Sequence, residues 1–171
     1  MRNIYLTGFM GAGKSTVGRV LAERLACTFV DLDEHIVAAA GRSITQIFEQ
    51  DGEPRFRELE SRALAEVATS ESLVVATGGG IVVAEQNRHL MNDTGTVINL
   101  SVTRETILAR LIGDESRPLL NTGDPAAKVD ALLADRGPFY AEADFTINTN
   151  GISVDDIVVE ILKRLKGKDV S

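Results

Sequence analysis

NIYLTGFMGAGKST, residues 3–16, decides the fold. Residues 3–7 read as a buried strand, glycines follow at 8, 11 and 13, and Val17, Val20, Leu21 and Leu25 then recur at helical spacing. Within the stretch, GFMGAGKS (residues 8–15) fits G-x-x-x-x-G-K-[ST] in the strand-to-helix context that this phosphate-binding motif requires. Bare N–H groups and a helix N-terminus wrap phosphate oxygens, Lys14 adds a point charge, and Ser15 offers a hydroxyl to Mg²⁺. The glycine spacing and the flanking elements together weigh against an accidental turn. The loop alone does not separate a kinase from a GTP-driven switch, but the N-K-x-D element usual in guanine-specific proteins is missing.

Outward from this loop, strands and helices alternate along the chain. Strands are expected at 28–31, 73–77, 96–100 and 145–148, and helices at 84–91, 104–111, 126–136 and 154–165. A long helical region covers about 33–68, interrupted at Gly41 and at Gly52–Pro54. Such alternation predicts an α/β protein with a parallel sheet, helical crossovers on both faces and ligands at the carboxyl ends of the strands. Gly8, Asp31, Thr77 and Leu100 then share one rim. The stretch 113–125, with two Pro and two Gly, reads as a mobile loop, and the last five residues, GKDVS, as a frayed end.

Bulk properties narrow the function. The 171 residues suit one domain, with 44% apolar and 25% charged residues, as in soluble globular proteins. A net charge of −7 argues against general binding of nucleic acid or an anionic membrane. The only cysteine, Cys27, excludes an internal disulfide and reads as a small buried hydrophobe. Without a signal peptide or an apolar run of membrane-spanning length, the expectation is a cytoplasmic protein, with a monomer as the default.

Four further segments carry candidate chemistry. FVDLDEH, residues 29–35, ends a strand on Asp31 and Asp33; strand alternation would send both carboxylates to one side, to hold Mg²⁺ through water and to meet a hydroxyl acceptor. A helix-start pair of acids is the equal alternative. FRELE, residues 56–60, puts Arg57 and Glu60 one helical turn apart, either as a surface ion pair or as a guanidinium braced to grip a carboxylate. Arg117 is the one cation of the mobile loop, and Arg136 sits at an expected helix end where the dipole alone would favour it. VVATGGGIV, residues 74–82, has Thr77 and the glycines 78–80 where proteins with such loops usually carry a metal-holding Asp. The triplet reads as a sharp turn that brings backbone N–H groups against phosphate and acceptor.

Taken in order, GFMGAGKST, the Asp31–Asp33 pair, FRELE, ATGGG, SRPLL and RGPFY resemble the P-loop shikimate kinases over nearly the whole chain. That resemblance implies a three-layer α/β/α sandwich around a five-stranded parallel sheet, akin to nucleoside monophosphate kinases. The whole of 1–171 would be one domain, with a lid at about 113–124 and an acceptor-binding helical region at about 33–62. It implies ATP and Mg²⁺, and transfer of a phosphoryl group to the 3-hydroxyl of shikimate. By position, Gly11, Ala12, Gly13, Lys14, Ser15, Thr16, Arg110 and Arg117 would bind ATP, with Arg110 stacking on adenine. Lys14, Asp33 and Arg117 would be catalytic, and Ser15 would ligate Mg²⁺ directly and Asp31 through water. Asp33, Arg57, Gly78, Gly79, Gly80 and Arg136 would hold shikimate, both arginines on its carboxylate. The loop NTNGISVDD departs from the Arg and Pro that some members place over adenine. Two rivals stand beside this reading: a gluconate-type kinase, and a nucleotide-binding module without catalysis.

Overall fold

The computed structural model describes residues 1–111 and 123–168. Five strands form one parallel sheet: β1 (Asn3–Thr7), β2 (Thr28–Asp31), β3 (Leu73–Ala76), β4 (Gly95–Ser101) and β5 (Phe145–Asn148), in the order β2-β3-β1-β4-β5. Every pairing is parallel, with Leu6 opposite Ala76 on one side and Ile98 on the other. β1 is central and all five of its residues are buried, as expected of a strand covered on both faces.

Helices cover both faces. On one, α1 (Lys14–Leu25) and α7 (Val154–Lys168) enclose a core of Leu6, Val17, Leu21, Ile98, Ile157 and Ile161. On the other lie α2 (Leu32–Ala40), α3 (Ile44–Val67), α4 (Glu85–Thr94), α5 (Arg104–Leu111) and α6 (Pro125–Tyr140), packed on Tyr5, Ile36, Ile47, Leu64, Val75 and Ile107. Most of these side chains are fully buried, and each such aliphatic stabilises the fold by about 1.5–3 kcal/mol. The expected α/β/α architecture is therefore the observed one. Cys27 departs slightly from expectation: it is half-buried and packs beside the α1 core.

Several boundaries moved, each for a local reason. The helical region expected at 33–68 is two helices. Gly41, at φ +65°, ends α2, and a capping box between Ser43 and Gln46 starts α3. α3 then kinks at Gly52, two residues before Pro54. A 3-10 turn over Ile81–Val83, not foreseen in the sequence, follows the glycine triplet. α6 does not stop at Arg136 but runs on through Gly137 and Pro138 to Tyr140, so Arg136 lies inside a helix. α7 continues three residues past the expected 165, and the rest of the expected frayed end lies outside the described residues.

β1 has β3 on one flank and β4 on the other, so the chain leaving β1 enters the crevice at the carboxyl edge of the sheet. There Gly8 meets β4: a Cβ at Gly8 would collide with the Leu100 carbonyl oxygen, and its φ of +138° suits glycine alone. The rim expected from Gly8, Asp31, Thr77 and Leu100 is thus formed.

Candidate active site

A cavity of about 410 Å³ opens on that rim. Its walls include residues 11–16 of the phosphate loop, Asp31, Asp33, Thr77, Gly78, Gly79 and Arg110. Gly13 precedes α1 with φ +85°, leaving the helix N-terminus without a side-chain cap and its N–H groups open to a ligand. The Lys14 ammonium is curled inside the loop, donating to the carbonyls of Gly8 at 2.8 Å and Phe9 at 2.9 Å. Arg110 reaches back from α5 and donates to the Gly11 carbonyl at 2.6 Å, which ties its guanidinium to the rim of the cavity. Arg117, and nearly all of the lid expected at 113–124, lies outside the described residues.

Asp31 and Asp33 both line the cavity, but strand alternation is not the reason. Asp31 is the last residue of β2 and the N-cap of α2, while Asp33 already belongs to the helix. One Asp31 oxygen accepts from the N–H groups of Asp33 and Glu34, at 3.0 and 3.2 Å. The other accepts from the Ser15 hydroxyl at 2.5 Å. The helix-start alternative and the functional one describe the same side chain: the cap fixes the carboxylate against Ser15. Ser15 and Asp31 together present hard oxygen donors beside the phosphate loop, a set suited to Mg²⁺, which takes few protein ligands and keeps phosphate oxygens and waters.

Across the cavity floor the glycine triplet meets charged side chains. A Cβ on Gly78 would collide with a Glu60 carboxylate oxygen, and one on Gly80 with the Arg57 guanidinium. At Gly79 the fit is looser, with the Met10 nitrogen at 3.2 Å and Arg136 Nη1 at 3.4 Å from such a Cβ. None of the three has positive φ. The sharp turn expected of the triplet therefore needs no glycine-only φ, and at Gly78 and Gly80 the space of a side chain is taken by the Glu60 carboxylate and the Arg57 guanidinium.

Those charged groups are closely coupled. Arg57 donates to Glu60 at 2.9 Å and to Glu53 at 3.2 Å, so the pair expected from FRELE is real and is not a surface pair. Glu60 is 1% exposed, and burial pushes its carboxyl above the usual range, against the pull of Arg57 and with the help of Asp33. For Arg57, burial opposes the charge, yet Glu60 and Glu53 outweigh it and hold the guanidinium ionised. Arg136 is 3% exposed, and its Nη1 has no hydrogen-bond partner among the described residues. A buried guanidinium nitrogen left open in this way is costly unless an anion completes it.

Sequence reasoning missed three contributors. Tyr140 donates from its hydroxyl to the Gly79 carbonyl at 2.5 Å, and burial pushes that phenol up to about 12. The signal was present in RGPFY, since Tyr140 follows Arg136 by one helical turn, but Gly-Pro disguised the helix. Thr149, Ile152 and Val154 line the same cavity as Arg110, where NTNGISVDD offered no motif to read. Arg88 bonds the carbonyls of the 3-10 turn, as described below.

The shikimate kinase family model matches residues 10–166. A shikimate kinase of Geobacter sulfurreducens is 52% identical over 160 residues, spanning 94% of this chain and 88% of that protein. The shikimate kinase of Acinetobacter baumannii, solved in complex with shikimate, superposes with a TM-score of 0.97 at 41% identity, covering 100% of this chain and 96% of that one. The shikimate kinase of Aquifex aeolicus gives a TM-score of 0.87 at 36% identity over 98% of each chain. Family match, sequence and fold agree over essentially the full length, and the chain belongs to the shikimate kinase family.

Proposed function

We propose that this chain phosphorylates the 3-hydroxyl of shikimate, with ATP as the phosphoryl donor and Mg²⁺ as the metal. Family membership supports the reaction class, and one observation supports the acceptor. Arg57 and the buried Arg136 both border the glycine turn, next to Asp33 and the phosphate loop. Two guanidiniums around one turn suit a carboxylate bound to a ring, whereas a gluconate-type acceptor has no need of such a pair.

In the reaction, the acceptor oxygen bonds to the γ-phosphorus while the bond to the β–γ bridging oxygen breaks, and the hydroxyl proton leaves. Asp33 orients that hydroxyl and takes the proton. Gly11 to Thr16 cradle the phosphates with backbone N–H groups, and Lys14 stabilises charge on the transferred group. Ser15 would ligate Mg²⁺ and Asp31 would hold it through water; the bound metal would neutralise the phosphate oxygens. Arg110 would cover adenine, and Ile152 and Val154, which line the same cavity, would add apolar contact. Arg117 would add its charge to the transferred phosphoryl group. The backbone of Gly78 to Gly80 and the guanidiniums of Arg57 and Arg136 fix the acceptor.

Because transfer needs nothing from a second copy in this scheme, we propose a monomer acting in the cytoplasm. No helix among the described residues is long and apolar enough to cross a membrane. The test of the whole reading is coupled detection of ADP release over a panel of acceptors, with Arg136→Ala in parallel. Turnover should require shikimate, and the variant should lose acceptor affinity while ATP affinity stays the same. Turnover with gluconate and not shikimate, or nucleotide binding without any turnover, would replace it.

A further inference from the structure

We infer that Arg88 is a positioning residue for the acceptor site, although it lies outside the cavity and appears in no motif read from the sequence. The inference rests on the proposed acceptor reading and asks what holds the two halves of that site together. One half is the glycine turn. The other is the end of α6, which carries Arg136 and Tyr140.

Arg88 sits on α4 and binds both halves. Its Nη1 donates to the carbonyls of Val82 and Val83, at 2.8 and 3.1 Å, in the 3-10 turn that directly follows Gly80. Its Nε donates to the Glu142 carboxylate at 2.7 Å, two residues beyond Tyr140. The guanidinium plane also lies over the Phe139 ring, 4.4 Å from its centre. Arg88 is the side-chain donor to the Val82 and Val83 carbonyls, and its neighbour Asn87 donates to the Ile81 carbonyl at 3.2 Å. A cavity of only about 10 Å³ remains where Val82, Arg88, Phe139 and Glu142 come together.

Among the described residues, the direct hydrogen bond between the halves is the one from Tyr140 to Gly79, while Asn87 of α4 holds the Ile81 carbonyl of the turn. Arg88 supplies a further anchor on the far side of Gly80 and so fixes the angle at which the Gly79 and Gly80 backbone faces Arg136. A planar fork serves two carbonyls, a carboxylate and a ring together; an ammonium reproduces only part of this.

The experiment is steady-state kinetics of Arg88→Ala, Arg88→Lys and Glu142→Gln, with shikimate and ATP varied in turn, at a temperature well below each variant's midpoint. Arg88→Ala should raise the acceptor KM about tenfold while the ATP KM moves less than about twofold, and Arg88→Lys should fall between it and the parent. Pairing Arg88→Ala with Tyr140→Phe should give a non-additive change in acceptor KM. If Arg88→Ala does not fold, Arg88→Lys and Glu142→Gln decide by the same split. An unchanged acceptor KM in folded variants, or equal changes in both KM values, overturns the inference and makes Arg88 a stabilising residue only. If the parent itself turns over no shikimate, the acceptor reading fails first, and this inference falls with it.

Discussion

The phosphate loop and the acceptor turn are both rich in glycine, and they need it for opposite reasons. In the loop, Gly8, Gly11 and Gly13 all have positive φ, so the backbone itself demands glycine. In the turn, Gly78, Gly79 and Gly80 have ordinary φ, and an added side chain would run into Glu60 at Gly78 and Arg57 at Gly80, with more room at Gly79. The loop binds with main-chain dipoles that are present however the surrounding side chains sit. The turn is a mould for a charged network, and its shape depends on partners from α3 and α6. Damage to the loop should therefore strike chemistry or folding, while damage to the turn should strike acceptor affinity alone.

The largest expected effect is on the loop side. Lys14→Ala removes the charge proposed to stabilise the transferred phosphoryl group and should lower kcat by about 10²–10³-fold or more, with the thermal midpoint nearly unchanged. Retained turnover in the folded variant would break the loop half of the comparison. Next comes Gly80→Ala, which drives a methyl into the Arg57 guanidinium. We expect the acceptor KM to rise about tenfold to a hundredfold and the ATP KM to stay within about twofold. Gly79→Ala should do less, because its neighbours stand 3.2 Å or more from the added carbon.

Gly8→Ala should act on stability instead. A strained φ of +138° and the Leu100 carbonyl together should cost about 1–3 kcal/mol or more, read by denaturant unfolding. The smallest effect concerns Glu60. Burial holds its carboxyl above the usual 4.5, so the folded chain binds that proton more tightly than the unfolded chain. The stability this contributes is complete below about pH 4.5 and is lost as pH rises through the raised value. Relative to Glu60→Gln, the parent should lose stability as pH climbs from 4.5, by no more than about 1.4 kcal/mol per unit. A flat difference in unfolding free energy across that range would show that Glu60 feels no net burial.

What could be read in advance follows the same division. The strand–loop–helix unit at 3–25 was legible because its signals are local: an apolar run, fixed glycine spacing and helical periodicity. Asp31 and Asp33 do reach one cavity, but through a helix cap and not strand alternation, since spacing of two cannot tell a strand end from a helix start. The glycine triplet was located, but its purpose was hidden. Whether glycine serves φ or space depends on side chains distant in sequence, Glu60 at 18 positions from Gly78 and Arg57 at 23 positions from Gly80. Tyr140 escaped because Gly-Pro usually ends a helix, whereas here α6 runs on through Gly137 and Pro138 to Tyr140. Ile152 and Val154 line the cavity without any pattern to announce them, because apolar residues in a loop carry no motif.

The measurement closest to the central claim is a double-variant cycle on acceptor KM, using Gly80→Ala, Arg57→Ala and the two combined. If Gly80 is glycine in order to admit the Arg57 guanidinium, the methyl has nothing left to displace once Arg57 is gone. The double variant should then match Arg57→Ala alone, within about twofold. Additive losses would contradict the account and return the triplet to a purely backbone role.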